Sequence, residues 1–384
     1  MRITVALTLV LAVLMPLSVG AAERVFPIVI TKEQIQEKYQ AAAFGGEKVK
    51  VLIMPGHEPD YGGTEHGALK ERNIAVDIAH TLAGDLRANP RFEVTVARTK
   101  ASWSSELARY FKKEARNTQT FVKAQKKLMQ KLTRQNKIED RDFEVGHNTA
   151  PSDVALRLYG ISRWANENNY DIVIHIHLND NPGATNHSGF AVYVPDAQYG
   201  NAQASKPLGV AIASELNHFN ATSTLAIENY GVVEDQDLIA LGAYNTAEFV
   251  SVLVEYAYIY ESKITNPAAR SSVLNDFAYQ TYRGIQAYVG APVAGDDTLA
   301  LPHTWTLSSL PLKVSDPQVY ALQAALHKLG FYPPKGELLI GCPISGYMGE
   351  CTLRALNAFQ KSKGYVPAGA IGPLTITALK RAGF

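Results

Sequence analysis

Apolar and polar positions alternate along this chain in two rhythms, one of about two residues and one of about four, and the switch between them outlines the elements. Residues 49–54, VKVLIM, form a short β-rich run halted by Pro55-Gly56, which predicts a buried strand and a turn. Ile74, Ile78, Leu82 and Leu86 then recur at four-residue steps, predicting a helix over 68–86. In 92–98, FEVTVAR, the residues Phe92, Val94 and Val96 alternate with Glu93, Thr95 and Ala97, as a strand with one covered face requires. Two more apolar runs, DIVIHIHL at 171–178 and SVLVEY at 251–256, extend the series. Strands interleaved with helices predict an α/β fold, a mixed sheet flanked by helices, whose domain spans 23–289. Residues 290–316 are rich in Pro, Gly, Ser and Asp and read as a linker. Three short helical patterns follow in 317–384, marked by Val319, Leu322, Leu326 and Leu329, by Leu353, Leu356 and Phe359, and by Ile376 and Leu379. They predict a small three-helix domain.

Of the 384 residues, 46% are hydrophobic and 19% charged, with 37 Lys and Arg against 36 Asp and Glu, which fits a well-buried globular protein and offers no global basic footprint for nucleic acid. The first 22 residues carry Arg2, an apolar stretch over 3–14, Pro16 and small residues at Val19, Gly20, Ala21 and Ala22. This pattern predicts a signal peptide, cleavage after Ala21 or Ala22, and a periplasmic or extracellular location. A retained anchor is the weaker alternative, because the stretch is short for a membrane span. Beyond the leader no apolar run is long enough to cross a bilayer. Cys342 and Cys351 are the two cysteines. Export makes a disulfide the expected state, and no His lies near them to complete a metal site.

One segment breaks the charge balance. Residues 104–137 hold ten Lys and Arg against Glu106 and Glu114, with Leu107, Phe111, Phe121, Leu128 and Leu132 at helical spacing. A long helix or helical hairpin is predicted there, within a basic insertion over 104–146. Its charge suits an anionic wall polymer or membrane surface, while the plainer reading is a solvated face of a helix packed on the domain.

Three strand ends carry polar residues: His57 after the first strand, His177 near the end of DIVIHIHL, and Glu255 at the end of SVLVE. Sites in open α/β sheets gather outside the carboxyl ends of strands. Glu71, in the first turn of the following helix, is placed to return beside His57. Two His with one carboxylate are a ligand set expected of catalytic zinc, which acidifies its water and polarises a carbonyl, and the second carboxylate remains free as a general base.

These residues also sit in strings that resemble a family. VLIMPGHEPDYGGTEHGALKERNIAVDIA is similar to the opening of the zinc-dependent N-acetylmuramoyl-L-alanine amidases, ISRWANENNYDIVIHIHLND to their next block with its His-x-Asn, and VSVLVEYAYIYES to their last block, ending in the catalytic Glu. The resemblance implies Zn2+ held by His57, Glu71 and His177, with Glu255 as the general base. Departures occur at Glu58-Pro59-Asp60-Tyr61 in the Gly-His loop, at His175, and at Tyr256-Ala257-Tyr258-Ile259-Tyr260 in place of Gly-Phe-x-x-Asn. His175 shares a face with His177 and is expected to be a buried structural His or a neighbour of the ligands. Some members carry an inhibitory helix between the second His and the catalytic Glu, whereas here the basic helix lies before His177. The tail, with its Leu-Gln, Phe-Gln and Gly-x-x-Thr landmarks, resembles a three-helix peptidoglycan-binding domain, although most of these landmarks also serve as core and turn residues. What the resemblance implies is an exported hydrolase cutting between N-acetylmuramic acid and L-alanine, with peptidoglycan as partner and an activator protein as a further one. A wall-binding scaffold with a degenerate site, or a zinc peptidase acting within the stem peptide, are the rival readings. His66, His187 and His218 receive no role.

Overall fold

Seven apolar-rich residues from Val49 to Pro55 build strand β1, and the chain then makes a two-stranded hairpin, β2 (Glu65–His66) and β3 (Leu69–Lys70), before helix α2 (Glu71–Ala88). The computed structural model describes residues 24–141, 150–181, 185–292, 305 and 313–384. The expected leader, the end of the 104–146 insertion and most of the expected linker lie outside these residues. Helix α2 begins three residues later than its periodicity suggests. Residues 65–70 pair as the hairpin around Gly67, whose φ of +57° suits glycine at a tight turn.

The main sheet has six strands in the order β4-β1-β5-β8-β6-β7, where β4 is Phe92–Val96, β5 Ile172–Asn179, β6 Ala191–Pro195, β7 Val232–Asp235 and β8 Val250–Tyr258. Strands β4, β1, β5 and β8 are mutually parallel, and β6 turns antiparallel against β8. The sheet is therefore mixed, as the pattern predicts, with β6 and β7 added beyond the strands legible in the sequence. Strands β5 and β8 are buried almost without interruption because both sheet faces are covered. On one face Ile53, Ile174, Ile176, Val252 and Val254 meet apolar residues of α2, α5 (Ala202–Leu216) and α7 (Arg270–Tyr288). On the other, Leu52, Met54 and Val173 meet Leu107 of α3 (Ser105–Arg134) and Ile161 and Trp164 of α4 (Ser152–Glu167). A short helix α1 (Lys32–Ala42), closed by a capping box at Thr31 and Gln34, adds Ile35 and Tyr39 to the first core.

The basic segment is one helix. Ser104 caps α3 by accepting from the Leu107 amide at 3.3 Å, and Leu107, Met129 and Leu132 are buried. Phe111 and Phe121 are half-buried, and Leu128 of the expected stripe is exposed. All ten cations, from Arg109 to Lys137, are exposed.

The C-terminal unit holds α8 (Pro317–Lys328), α9 (Glu350–Ser362) and α10 (Pro373–Arg381). Its core gathers Leu322, Leu326, Leu356, Phe359 and Leu379, and a disulfide joins Cys342 to Cys351. This unit is packed on the sheet domain. Tyr320 Oη donates to Asp276 Oδ2 at 3.2 Å, Asn266 Nδ2 donates to the Ser345 carbonyl at 3.1 Å, and the Phe219 and His327 rings lie 5.9 Å apart.

Candidate active site

The parallel strands β1, β5 and β8 end side by side, so the polar residues at their carboxyl ends converge. Register pairs His177 of β5 directly with Glu255 of β8. Directly after β1, His57 adopts φ +66°, a left-handed conformation costly for a non-glycine residue, and this turns the chain toward β5. Two glycines make room. A Cβ at Gly56 would overlap the His177 ring, and one at Gly63 (φ +77°) would lie 2.7 Å from His57 Cδ2 and 3.1 Å from Glu71 Oε2. The Gly-His and Gly-Gly elements of the loop therefore have a steric cause.

Glu71, the first residue of α2, is 3% exposed and lies between the two imidazoles. Its Oε1 is 2.8 Å from His57 Nε2 and 3.0 Å from His177 Nδ1, and it accepts from the Leu178 amide at 3.1 Å, while Oε2 accepts from the Thr64 amide at 2.9 Å. Burial pushes the Glu71 carboxyl up, but His57 and His177 outweigh it and hold the group well below the usual carboxylate range. Burial depresses His177, and it drives His175 down to about 3 with help from His177. His175, 2% exposed on the same strand face, stays neutral and lies outside the ligand group.

The donor set fits a metal ion. One ligand atom each from His57, Glu71 and His177 lies within 4.8 Å of the others. His57 Nε2 is buried yet makes no aligned hydrogen bond, even at 2.8 Å from Glu71 Oε1, which leaves an orphaned nitrogen aimed at the common point. Glu255 stands apart from this group. It is 5% exposed, its Oε2 is buried without a hydrogen-bond partner among the described residues, and burial together with Glu71 and Glu228 raises its carboxyl well above the ordinary range.

Several supporting residues carried no signal in the sequence. Arg98, 1% exposed, donates to the carbonyls of Pro55 (3.1 Å), Gly56 and Arg72 (2.9 Å), fixing both chain segments that bear His57 and Glu71. Glu58 answers for the unusual loop: its Oε1 accepts from Arg157 Nε at 2.6 Å and its Oε2 from Trp103 Nε1 at 2.8 Å, tying the loop to α4 and to the start of α3. Tyr61 Oη continues the anchor by donating to Asp153 at 2.7 Å. Beside Glu255, the fully buried Glu228 accepts from Asn179 Nδ2 (2.8 and 3.0 Å), Tyr193 Oη (2.6 Å) and Tyr258 Oη (3.1 Å), linking β5, β6 and β8. The replacement of Gly-Phe-x-x-Asn thus supplies Tyr258 to this cluster. Of the unassigned histidines, His66 sits in the hairpin 6.4 Å from the Tyr260 ring, His187 stacks on Tyr258, and His218 pairs with Glu215.

Comparison with protein families matches residues 123–287 to N-acetylmuramoyl-L-alanine amidase and residues 315–379 to a peptidoglycan binding domain. The first match contains His177 and Glu255; His57 and Glu71 precede it and are brought in by the fold. Comparison with curated proteins finds no match. Among solved structures, the N-acetylmuramoyl-L-alanine amidase of Clostridium difficile 630 is 17% identical with a TM-score of 0.40, covering 64% of this chain and 100% of that one. The amidase Ami1 of Mycobacterium smegmatis is 17% identical with a TM-score of 0.42, covering 64% and 98%. The CwlD amidase of Clostridioides difficile, in complex with the GerS lipoprotein, is 16% identical with a TM-score of 0.41, covering 63% and 99%. Residues 123–287 are thus similar to the N-acetylmuramoyl-L-alanine amidases, and residues 315–379 to a peptidoglycan binding domain.

Proposed function

We propose that this peptidoglycan amidase is zinc-dependent and cuts the amide between N-acetylmuramic acid and the L-alanine of the stem peptide, in cell-wall remodelling or lysis. The observation that carries the reading is the His57, Glu71 and His177 group, built on a buried Glu71, with a separate carboxylate, Glu255, on the adjoining strand whose Oε2 has no hydrogen-bond partner among the described residues. When bound, Zn2+ supplies a water acidified to a pKa of about 7 and a polarised carbonyl. His57 and His177 offer neutral nitrogens, and Glu71 offers a charge kept ionised by its neighbours. Glu255 takes the proton of the attacking water on its free Oε2 and passes it to the departing amine. Arg98 keeps the His57 loop from moving during that exchange.

The C-terminal domain holds the enzyme on an insoluble polymer, raising the local concentration of cleavable amides. Export to the periplasm or the cell exterior follows from that substrate. The ten exposed cations of 104–137 favour a second, anionic surface as a partner over a face merely packed on the domain.

Purified protein incubated with intact peptidoglycan, with and without a chelator, tests the reading by mass spectrometry of the soluble products. The expected result is chelator-sensitive release of free stem peptides beginning with L-alanine. Shortened stems left on the glycan would mean a peptidase, and binding without release would mean a scaffold or a missing activator protein.

A further inference from the structure

A cavity of about 240 Å³ lies on the seam between the sheet domain and the three-helix unit. Its walls include His187 before β6, Asn220 after α5, Tyr260 and Lys263 after β8, and Ile340 and Ile344 of the C-terminal unit. The seam is a fixed one: the Asp276–Tyr320 and Asn266–Ser345 bonds cross it, and a Cβ at Gly346 would overlap that of Ala269. The cavity opens at the same end of the sheet as the candidate site. Five residues separate Glu255 from Tyr260, so its wall begins within roughly 17 Å of Glu255, the reach of an extended peptide of about five residues. The Tyr260 ring on the cavity wall lies 5.5 Å from the ring of Tyr258, three residues after Glu255, and 6.4 Å from that of His66.

Lys263 gives this space its chemistry. It is 4% exposed, and its Nζ donates to Asn220 Oδ1 at 3.0 Å, lies 3.5 Å from Glu261 Oε2 and sits 5.4 Å from the centre of the Phe277 ring. The other Glu261 oxygen accepts from the Gly189 and Tyr258 amides at 2.9 and 2.8 Å. An ammonium has three donors, and with two facing Asn220 and Glu261 the aromatic ring offers the third only a weak partner. Glu261 Oε2 likewise retains acceptor capacity. A buried cation and anion side by side on a cavity suit a guest that carries both charges.

We infer that this seam cavity binds the distal, zwitterionic end of the stem peptide, a carboxylate on Lys263 and an ammonium on Glu261, while the amide to be cut lies at Glu255. The inference rests on the amidase reading and adds the C-terminal unit as part of the substrate groove.

Two measurements test it on the full chain. Calorimetry of a free stem peptide against the protein, compared with the same peptide amidated at its distal carboxylates, is expected to show at least tenfold tighter binding of the charged form. Lys263→Met and Ile340→Trp are each expected to bring that ratio close to one; Ile340 is 37% exposed, so the second variant fills the cavity from its rim without disturbing a core. In parallel, the zinc-loaded protein is expected to release a full charged stem from N-acetylmuramic acid with at least tenfold higher kcat/KM than a sugar-linked stem truncated after its second residue. Equal binding of charged and amidated peptide, or a ratio that survives both variants, would overturn the inference. Selective binding, lost in both variants, without cleavage of any substrate would leave the cavity's ligand standing and place the failure on the amidase reading or its activator.

Discussion

Two sets of buried polar side chains behave in opposite ways, the glutamines of the C-terminal unit and the polar residues at the strand ends. In the C-terminal unit, Gln323 donates to Thr352 Oγ1 and the Tyr347 carbonyl and accepts from the Ser345 and Gly346 amides. Gln360 donates to Thr375 Oγ1 and the Ala370 carbonyl and accepts from the Ala368 amide. These are the Leu-Gln, Phe-Gln and Gly-x-x-Thr landmarks, and their hydrogen-bonding capacity is spent inside the fold. At the strand ends, Glu255 Oε2 is buried with no hydrogen-bond partner among the described residues, and His57 Nε2, 2.8 Å from Glu71 Oε1, makes no aligned hydrogen bond. A buried polar group without a partner costs about 1–3 kcal/mol, so its retention marks chemistry, whereas full satisfaction marks a brace.

The sharpest way to break this comparison is at Glu255. Glu255→Gln keeps the shape and the ligand group but removes the proton acceptor, so kcat is expected to fall by roughly 10²–10⁴ while zinc content, measured by atomic absorption, stays unchanged. Retained turnover would return Glu255 to the class of braces. The converse test is Gln360→Leu. The Ala368 amide and the Thr375 hydroxyl lose their partner, and the C-terminal unit is expected to lose about 3 kcal/mol in urea unfolding. No change there would deny that the landmark is structural.

Asp276 sharpens the boundary between the two classes, because it is fully buried on the seam and bonded by both Gln280 and Tyr320. Burial nevertheless pushes its carboxyl up to about 6, against an ordinary value near 3.8. A raised folded pKa means that the native state binds the proton more tightly. The stability it contributes is complete below pH 3.8 and is lost as pH rises through 6, about 3 kcal/mol over that window. Asp276→Asn should abolish this slope, so wild type and variant stabilities, compared by urea unfolding from pH 4 to pH 8, should change by about that amount relative to each other. Parallel curves would show that the carboxyl is not titrating across the window.

His57, His177 and Glu255 were legible because each stands at or just past the end of an apolar strand, where a polar residue has no packing reason to be, and Glu71 because it opens the helix that follows. The three-helix unit was legible from local periodicity alone, since its contacts follow the chain order. Strands β6 and β7 were not, because AVYVP and VVED are too short to show a period and gain their identity only by pairing beside β8. Arg98 looked like the last residue of a strand and became a clamp only once β1 and α2 were placed around it. Glu228 lay in the loop string IENYG, and nothing local announces that Asn179, Tyr193 and Tyr258 will surround it. What escaped the sequence is what depends on distant segments meeting.

Helix α3 supplies the smallest expected effect and a third class of polar residue, neither brace nor catalyst. Its ten cations are exposed; of the two carboxylates in 104–137, Glu114 is half-buried and taken up by Asn117 and Arg163. Lys127 and Lys131 lie four residues apart beside the exposed Leu128, a spacing that puts both ammonium groups on one face of the helix. A surface charge near an anionic layer is worth about 1 kcal/mol and is screened beyond a Debye length of about 8 Å at physiological salt. Lys127→Gln should therefore weaken binding to vesicles containing anionic phospholipid about fivefold, and raised salt should remove the difference. Binding that is equal on neutral vesicles, or untouched by salt, would make α3 a solvated face whose charge serves solubility alone.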